Sequence, residues 1–240
     1  MKKIGVVLSG CGVYDGAEIH ESVITLLAID RAGAEAVCMA PNVEQMHVVN
    51  HLTGEEAAGE KRNVLIESAR IARGEIKDIS TVKADDIDAL VFPGGFGAAK
   101  NLSSFAVKGE NCDVHPEVLR LVKEFAAKQK PQAVLCIAPA MMAKIYQDAP
   151  KKPVLTIGND KETSGKIEIM GSRHQDCSAR DFVLDEENKI VSTPAYMLGQ
   201  SISEVAEGIE KTISQCQFFN SLSELPLFRC SINMKGTLFL

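Results

Sequence analysis

Ala133-Val134-Leu135-Cys136-Ile137-Ala138-Pro139-Ala140-Met141 changes its structural preference partway along. Ala133–Leu135 is a short apolar run of the kind that fills a buried strand. Pro139 falls where a first helical turn accepts a residue without an N–H. The switch from strand to helix therefore lands on Cys136. Outward from this point the same alternation recurs. Ile4–Leu8 and Asp88–Phe92 are buried-strand runs, the second stopped by Pro93-Gly94-Gly95. Ala17–Arg31 carries Ile19, Val23, Leu26 and Leu27 at helical spacing and closes on Gly33; a strand over Glu35–Ala40 follows, then a helix over Asn63–Ala72. Pro116–Lys128 places Val118, Leu121, Val122 and Phe125 on one helical face. Val154–Ile157, Phe182–Leu184 and Ile190–Thr193 read as strands, the last two joined by a polar hairpin turn over Asp185–Lys189, and Ser201–Ile213 as a closing helix. Strands alternating with helices predict one doubly wound α/β domain, its mostly parallel sheet covered on both faces.

The composition permits this. The chain has 240 residues, 45% of them hydrophobic and 24% charged, which excludes a disordered, collagen-like or coiled-coil protein. Its formal net charge of -6 and the lack of Trp argue against a nucleic-acid partner, which needs clustered Lys and Arg and stacking rings. No apolar run approaches the roughly 20 residues of a membrane span. Met1-Lys2-Lys3 before Ile4–Leu8 resembles a secretory leader, but Asp15, Glu18 and His20 follow too soon for one. Seven cysteines, an odd number, contain no CxxC pair, which suits a reducing compartment, and the cytoplasm is the expected location. From Cys216 onward the apolar residues lose periodicity. The expected division is a domain over 1–215 and an apolar C-terminal segment over 216–240.

Ligands of open α/β sheets bind beyond the carboxyl ends of the strands. Three strand-end loops carry unusual residues: Ser9–Glu21, Pro93–Leu102 and the turn at Cys136. If their strands are neighbours, they converge on one pocket. A thiol at a helix start feels the positive end of the helix dipole, which favours the thiolate, and a sharp turn lets the next amide face an oxyanion. A small buried apolar Cys136 fits the same spacing. Pro93–Gly97 can donate backbone N–H groups or simply make a tight turn; taken alone, the turn is the simpler reading. Glu18 and Glu21 lie on one side of the first helix and read, on their own, as solvated carboxylates complementing its dipole. Gly10-x-Gly12-x-x-x-Gly16 departs from the dinucleotide fingerprint, and no acidic residue follows the second strand. His47 with His51, and His174 with Cys177, form no set of three or four ligands, so neither a metal nor a cofactor is expected. The remaining cysteines read as structural.

Met1–Glu21, Pro93–Leu102, Cys136–Met141 and Thr193–Leu198, supported by Asn50–Glu55 and Arg62–Arg70, resemble the ElbB family over residues 1–215. That family is a branch of the PfpI-like superfamily, related to class I glutamine amidotransferases. The resemblance implies a flavodoxin-like sandwich, a homodimer, a small aldehyde or dicarbonyl substrate, and a cofactor-free glyoxalase activity converting glyoxal to glycolate. It assigns the nucleophile to Cys136, the partner carboxylate to Glu21 with Glu18 as the fallback, and the oxyanion amides to Gly94 or Gly95 and to Ile137. Many superfamily members carry His directly after the elbow Cys, where this chain has Ile137, and the downstream His-x-Glu of glutaminases is missing. Family members are linked by name to isoprenoid biosynthesis. A redox-regulatory protein with an oxidisable Cys136 and a deglycase-type repair enzyme remain as alternatives.

Overall fold

The strand-forming runs of the sequence assemble into a single seven-stranded sheet in the computed structural model, which describes residues 1–219. In chain order the elements are β1 (Lys3–Val7), α1 (Ile19–Arg31), β2 (Glu35–Ala40), α2 (Val64–Ile71), β3 (Ile76–Asp78), β4 (Ala89–Phe92), α3 (Phe96–Lys100), α4 (Phe105–Lys108), α5 (Pro116–Ala127), β5 (Gln132–Leu135), α6 (Ala138–Ile145), β6 (Val154–Leu155), α7 (Lys161–Ile169), β7 (Arg173–His174), β8 (Val183–Asp185), β9 (Ile190–Thr193) and α8 (Ile202–Phe218). The sheet order is β3-β2-β1-β4-β5-β9-β8. Every neighbouring pair is parallel except β8 with β9, the expected hairpin. This is the flavodoxin-like α/β architecture.

Period-two alternation sends the strand side chains to two separate cores. Ile4, Val6 and Leu8, Ala89 and Val91, and Ala133 and Leu135 pack with α1 and α8 on one face. Val7, Leu90, Phe92 and Val134 pack with α5, α6 and α7 on the other. Fully burying each large apolar side chain contributes about 1.5–3 kcal/mol. The strand order runs outward in opposite directions from β1 and β4, so the switch point lies between these two neighbours.

Two sequence expectations are corrected. Val154–Ile157 does not join the main sheet: Val154–Leu155 pairs in parallel with Arg173–His174 in a separate two-stranded sheet. The closing helix runs past Ile213 to Phe218, and Cys216 is buried against β-sheet residues. Residues 220–240, Cys230 among them, lie outside the described residues. On α1, Ile19, Val23 and Leu27 mark the exposed side, each at least 42% accessible, while Glu21, Ser22 and Thr25 face inward with Ile24, Ala28 and Ile29.

Candidate active site

Cys136 follows directly on β5, where its N–H donates to the Thr193 carbonyl at 3.0 Å and continues the ladder with β9. Its φ of 59° then turns the chain sharply, Ile137 caps α6, and Pro139 sits in the first helical turn. Left-handed backbone at a non-glycine residue costs of order 1 kcal/mol and persists where the surroundings over-determine it. Here β5–β9 pairing on one side and the start of α6 on the other hold it. The thiol is 7% exposed.

Glu21 reaches the same point from α1. Chain entry into this helix is fixed by Glu18, the N-cap residue, whose carboxylate accepts the Glu21 N–H at 2.6 Å. Glu18 in turn donates its own N–H to the Gly94 carbonyl at 2.9 Å, tying the loop after β1 to the loop after β4. Glu21 is fully buried, and both oxygens accept backbone N–H groups: Oε2 from Gly94 at 2.8 Å and Oε1 from Tyr196 at 3.1 Å. Tyr196 follows Ala195, a second residue in left-handed backbone with φ 45°. Spacing alone reads Glu18 and Glu21 as solvated carboxylates. Both are instead buried, because the polar side of α1 faces the site.

The Cys136 thiol and the Glu21 carboxylate converge on Gly94, and the amides of Gly95 and Ile137 lie beside the sulfur. Since the Gly94 N–H is taken by Glu21, the amide pair at the sulfur comes from Gly95 and Ile137. Gly95 has φ 91°, and Gly94 is a point of close approach: a Cβ there would lie 2.6 Å from Glu21 Oε2 and 2.9 Å from Cys136 Sγ. Burial, the Glu18 charge next, pushes Glu21 up to about 7 against the hydrogen bonds it accepts. Burial and the Glu21 charge push the Cys136 thiol well above its usual range, against the pull of the Gly95 and Ile137 amides. The dipole at a helix start favours a thiolate; here desolvation and the adjacent carboxylate outweigh it, and the resting group is the thiol.

The Glu21 shift has a stability consequence. The folded state holds this proton more tightly than the unfolded chain, so stability falls as pH rises from about 4.5 through about 7 and then levels. The contribution is about 3 kcal/mol. Urea unfolding should find Glu21→Gln gaining by that amount relative to the wild type between those pH values. A constant offset accompanies it, since a Gln amide cannot accept both the Gly94 and Tyr196 N–H groups. A parallel pair of pH profiles would contradict the assignment.

The neighbouring positions of β1, β4 and β5 do bring the three loops together, in a cavity of about 320 Å³. Glu18, Gly95, Cys136, Ile137 and Tyr196 line it. Sequence reasoning assigned no role to Phe96, Phe105, Thr163, Lys166 or Met197, which also face it. Helix α7, carrying Thr163 and Lys166, has no clear apolar periodicity, because Gly165 and charged residues interrupt it. Its N-cap was a legible signal: Asp160 accepts the Thr163 N–H at 2.8 Å. His174 lies apart on β7, where Nε2 accepts the Ile157 N–H at 3.3 Å. Among the described residues no group of three or more His, Cys, Asp and Glu could hold a metal ion, and no helix is long and apolar enough to cross a membrane.

The flavodoxin-like sheet thus carries a cysteine elbow beside a helix-borne carboxylate. The fold of *Drosophila melanogaster* DJ-1beta matches at a TM-score of 0.51 and 17% identity over 94% of this chain and 99% of that one. No family model matches the chain. Much greater likeness is found to the human glutamine amidotransferase-like class 1 domain-containing protein 3, mitochondrial, 45% identical over 216 residues, covering 86% of this chain and 79% of the relative. The mitochondrial ES1 protein homolog of *Rattus norvegicus* is 44% identical over 216 residues, at 86% and 80% coverage. An isoprenoid biosynthesis protein with an amidotransferase-like domain from *Ehrlichia chaffeensis* superposes with a TM-score of 0.85 and 39% identity, over 92% of this chain and all of the other. The chain belongs to the ElbB/ES1 family of class I glutamine amidotransferase-like proteins.

Proposed function

We propose that the protein is a cofactor-free glyoxalase that converts glyoxal to glycolate. The observation that carries this reading is the convergence of the Cys136 thiol and the fully buried Glu21 carboxylate at Gly94, where burial pushes Glu21 up to about 7. A carboxyl tuned near neutrality takes and returns protons with little cost in either direction. As an aldehyde carbon approaches, Glu21 accepts the thiol proton and Sγ bonds to that carbon. The former carbonyl oxygen, protonated, becomes the hydroxyl of a hemithioacetal, with the Gly95 and Ile137 amides as donors to the developing oxyanion. Glu21 then removes the C–H proton of this carbon, giving an enediol, and delivers a proton to the second carbon. The product is a glycolyl thioester on Cys136. Water attacks its carbonyl, the thiol leaves, and glycolate is released; the two carbons exchange oxidation levels and no external redox agent is consumed. In this reading Glu18 positions Glu21 through its N-cap bond.

Glycolate formation from glyoxal, followed by NMR, tests the reading. We expect turnover to rise with pH through about 7 as Glu21 ionises. Glu21→Gln should lose about 10²–10⁴-fold and the inflection with it. Turnover unaffected by this change would sink the mechanism. The raised thiol pKa counts against a redox sensor, since the thiolate is the species oxidised. The free thiols at Cys11, Cys38, Cys112, Cys136, Cys177 and Cys216 suit a reducing compartment: the cytoplasm, or the mitochondrion named for the human and rat relatives. A homodimer would cover the exposed Ile19, Val23 and Leu27 of α1.

A further inference from the structure

The proposed reaction needs a proton that Glu21 is not free to give. While Glu21 holds the C–H proton of the hemithioacetal, the electron pair moves onto the second carbonyl oxygen, and an enediol forms only if that oxygen is protonated. The Gly95 and Ile137 amides stabilise charge without giving up their hydrogens. Among the residues lining the cavity, Glu18, Thr163, Lys166 and Tyr196 have polar side chains. Glu18 already accepts the Glu21 N–H, and Lys166 pairs with Glu162 at 2.7 Å. The Thr163 hydroxyl, an alcohol, is a far weaker acid than a phenol. Tyr196 meets two consecutive residues of α1: its N–H reaches Glu21 Oε1 at 3.1 Å, and its hydroxyl lies 2.8 Å from His20 Nδ1. Burial, then the charges of Glu18 and Glu21, raises the phenol, so at neutral pH it keeps its hydrogen. His20 is exposed and joins the half-buried phenol to bulk water.

We infer that Tyr196 is the acid and base for the substrate oxygens, and that His20 is its positioning residue. A phenol has one hydrogen, so it serves the cavity only while His20 Nδ1–H donates to the phenol oxygen. The steps rest on the proposed glyoxalase reaction, and the placement of the pair on the geometry alone. As Glu21 takes the C–H proton, Tyr196 gives its own proton to the second oxygen. The His20 N–H stabilises the phenolate so formed. Glu21 then protonates the second carbon, and the first hydroxyl returns a proton to the Tyr196 oxygen. A glycolyl thioester, a carboxylate and a phenol remain, and no proton is gained or lost.

Tyr196→Phe in the full chain removes the hydroxyl and keeps the backbone N–H that Glu21 accepts, so it isolates the proposed donor. With glyoxal its kcat should fall about 10²–10⁴-fold, while iodoacetamide alkylates Cys136 at the wild-type rate. His20→Ala should cost about five- to tenfold, and His20→Asn, which sets a donor N–H where Nδ1 stood, should recover most of it. Nitrogen NMR of the imidazole should find a proton on His20 Nδ1. A bare Nδ1 overturns the inference, since the phenol hydrogen would then be spent on His20. A further measurement needs no turnover: glycolohydroxamate, whose paired oxygens mimic those of the enediolate, should bind Tyr196→Phe at least about tenfold more weakly than wild type. A kcat and a hydroxamate affinity both unchanged in Tyr196→Phe overturn the pair and leave the glyoxalase reading standing. Hydroxamate binding that depends on Tyr196, in a wild type that does not turn over glyoxal, keeps the pair and removes the glyoxalase reading. A lower kcat matched by equally slowed alkylation marks a displaced elbow and overturns the assignment.

Discussion

Cys136→Ala is expected to reduce glyoxal turnover by at least about 10³-fold while the protein folds normally. Deleting a covalent nucleophile removes the intermediate itself, and in enzymes whose groups act as a unit such a change costs as much as losing the whole set. The fold has little reason to suffer. The left-handed backbone at position 136 is imposed by the β9 pairing and by α6, and alanine meets the same strain as cysteine. Loss of the thiol also removes one of the neighbours that lower Glu21, so the carboxyl should titrate higher in the variant. The test is glycolate formation beside a carboxyl titration by infrared or NMR. Turnover within tenfold of wild type would refute the nucleophile.

Gly94→Ala should be nearly as damaging by a different route. Backbone strain is not the reason: unlike Gly95, Gly94 does not occupy the left-handed region. The added methyl would stand 2.6 Å from Glu21 Oε2 and 2.9 Å from Cys136 Sγ, inside any tolerated contact. Neither neighbour can swing aside. Glu21 is held at both oxygens by backbone amides, and Cys136 is fixed between β5 and α6. Overpacking of this kind costs about 1–3 kcal/mol. It also parts the thiol from its base, and a misplacement of about 1 Å can cost 10²-fold in rate. Thermal melts should find a lower Tm, and glyoxal assays a kcat at least about 10²-fold down. A variant with wild-type kcat would mean that Glu21 and Cys136 need not touch.

Much of the frame is written locally in the chain. The β1, β4 and β5 runs are apolar and end in glycine, proline or the Cys136 turn, so their placement as central parallel strands needs no tertiary knowledge. The short, half-polar elements are different. β6 and β7 contribute two residues each, and their separation from the main sheet is decided by pairing partners about twenty residues apart in the chain. The hardest element was α1. Its apolar Ile19, Val23 and Leu27 advertise a buried face, yet the inward side carries Glu21, Ser22 and Thr25. A pattern rule reads such a helix backwards, because here burial follows the site rather than hydrophobicity. For the same reason spacing alone reads Glu18 and Glu21 as solvated. The cysteine elbow was legible since Pro139 dates the helix start, whereas the depth of the Glu21 pocket depends on Tyr196, which is 175 residues away.

The groups that grip Glu21 are main-chain amides of Gly94 and Tyr196, while the Tyr196 hydroxyl meets His20 Nδ1 at 2.8 Å. One residue thus holds the carboxylate through its backbone and leaves its side chain to other contacts. Descendants of this chain can exchange the ring at 196 while the turn goes on delivering the same N–H to the same oxygen. The surroundings of the carboxylate are free to drift around an anchor that stays still.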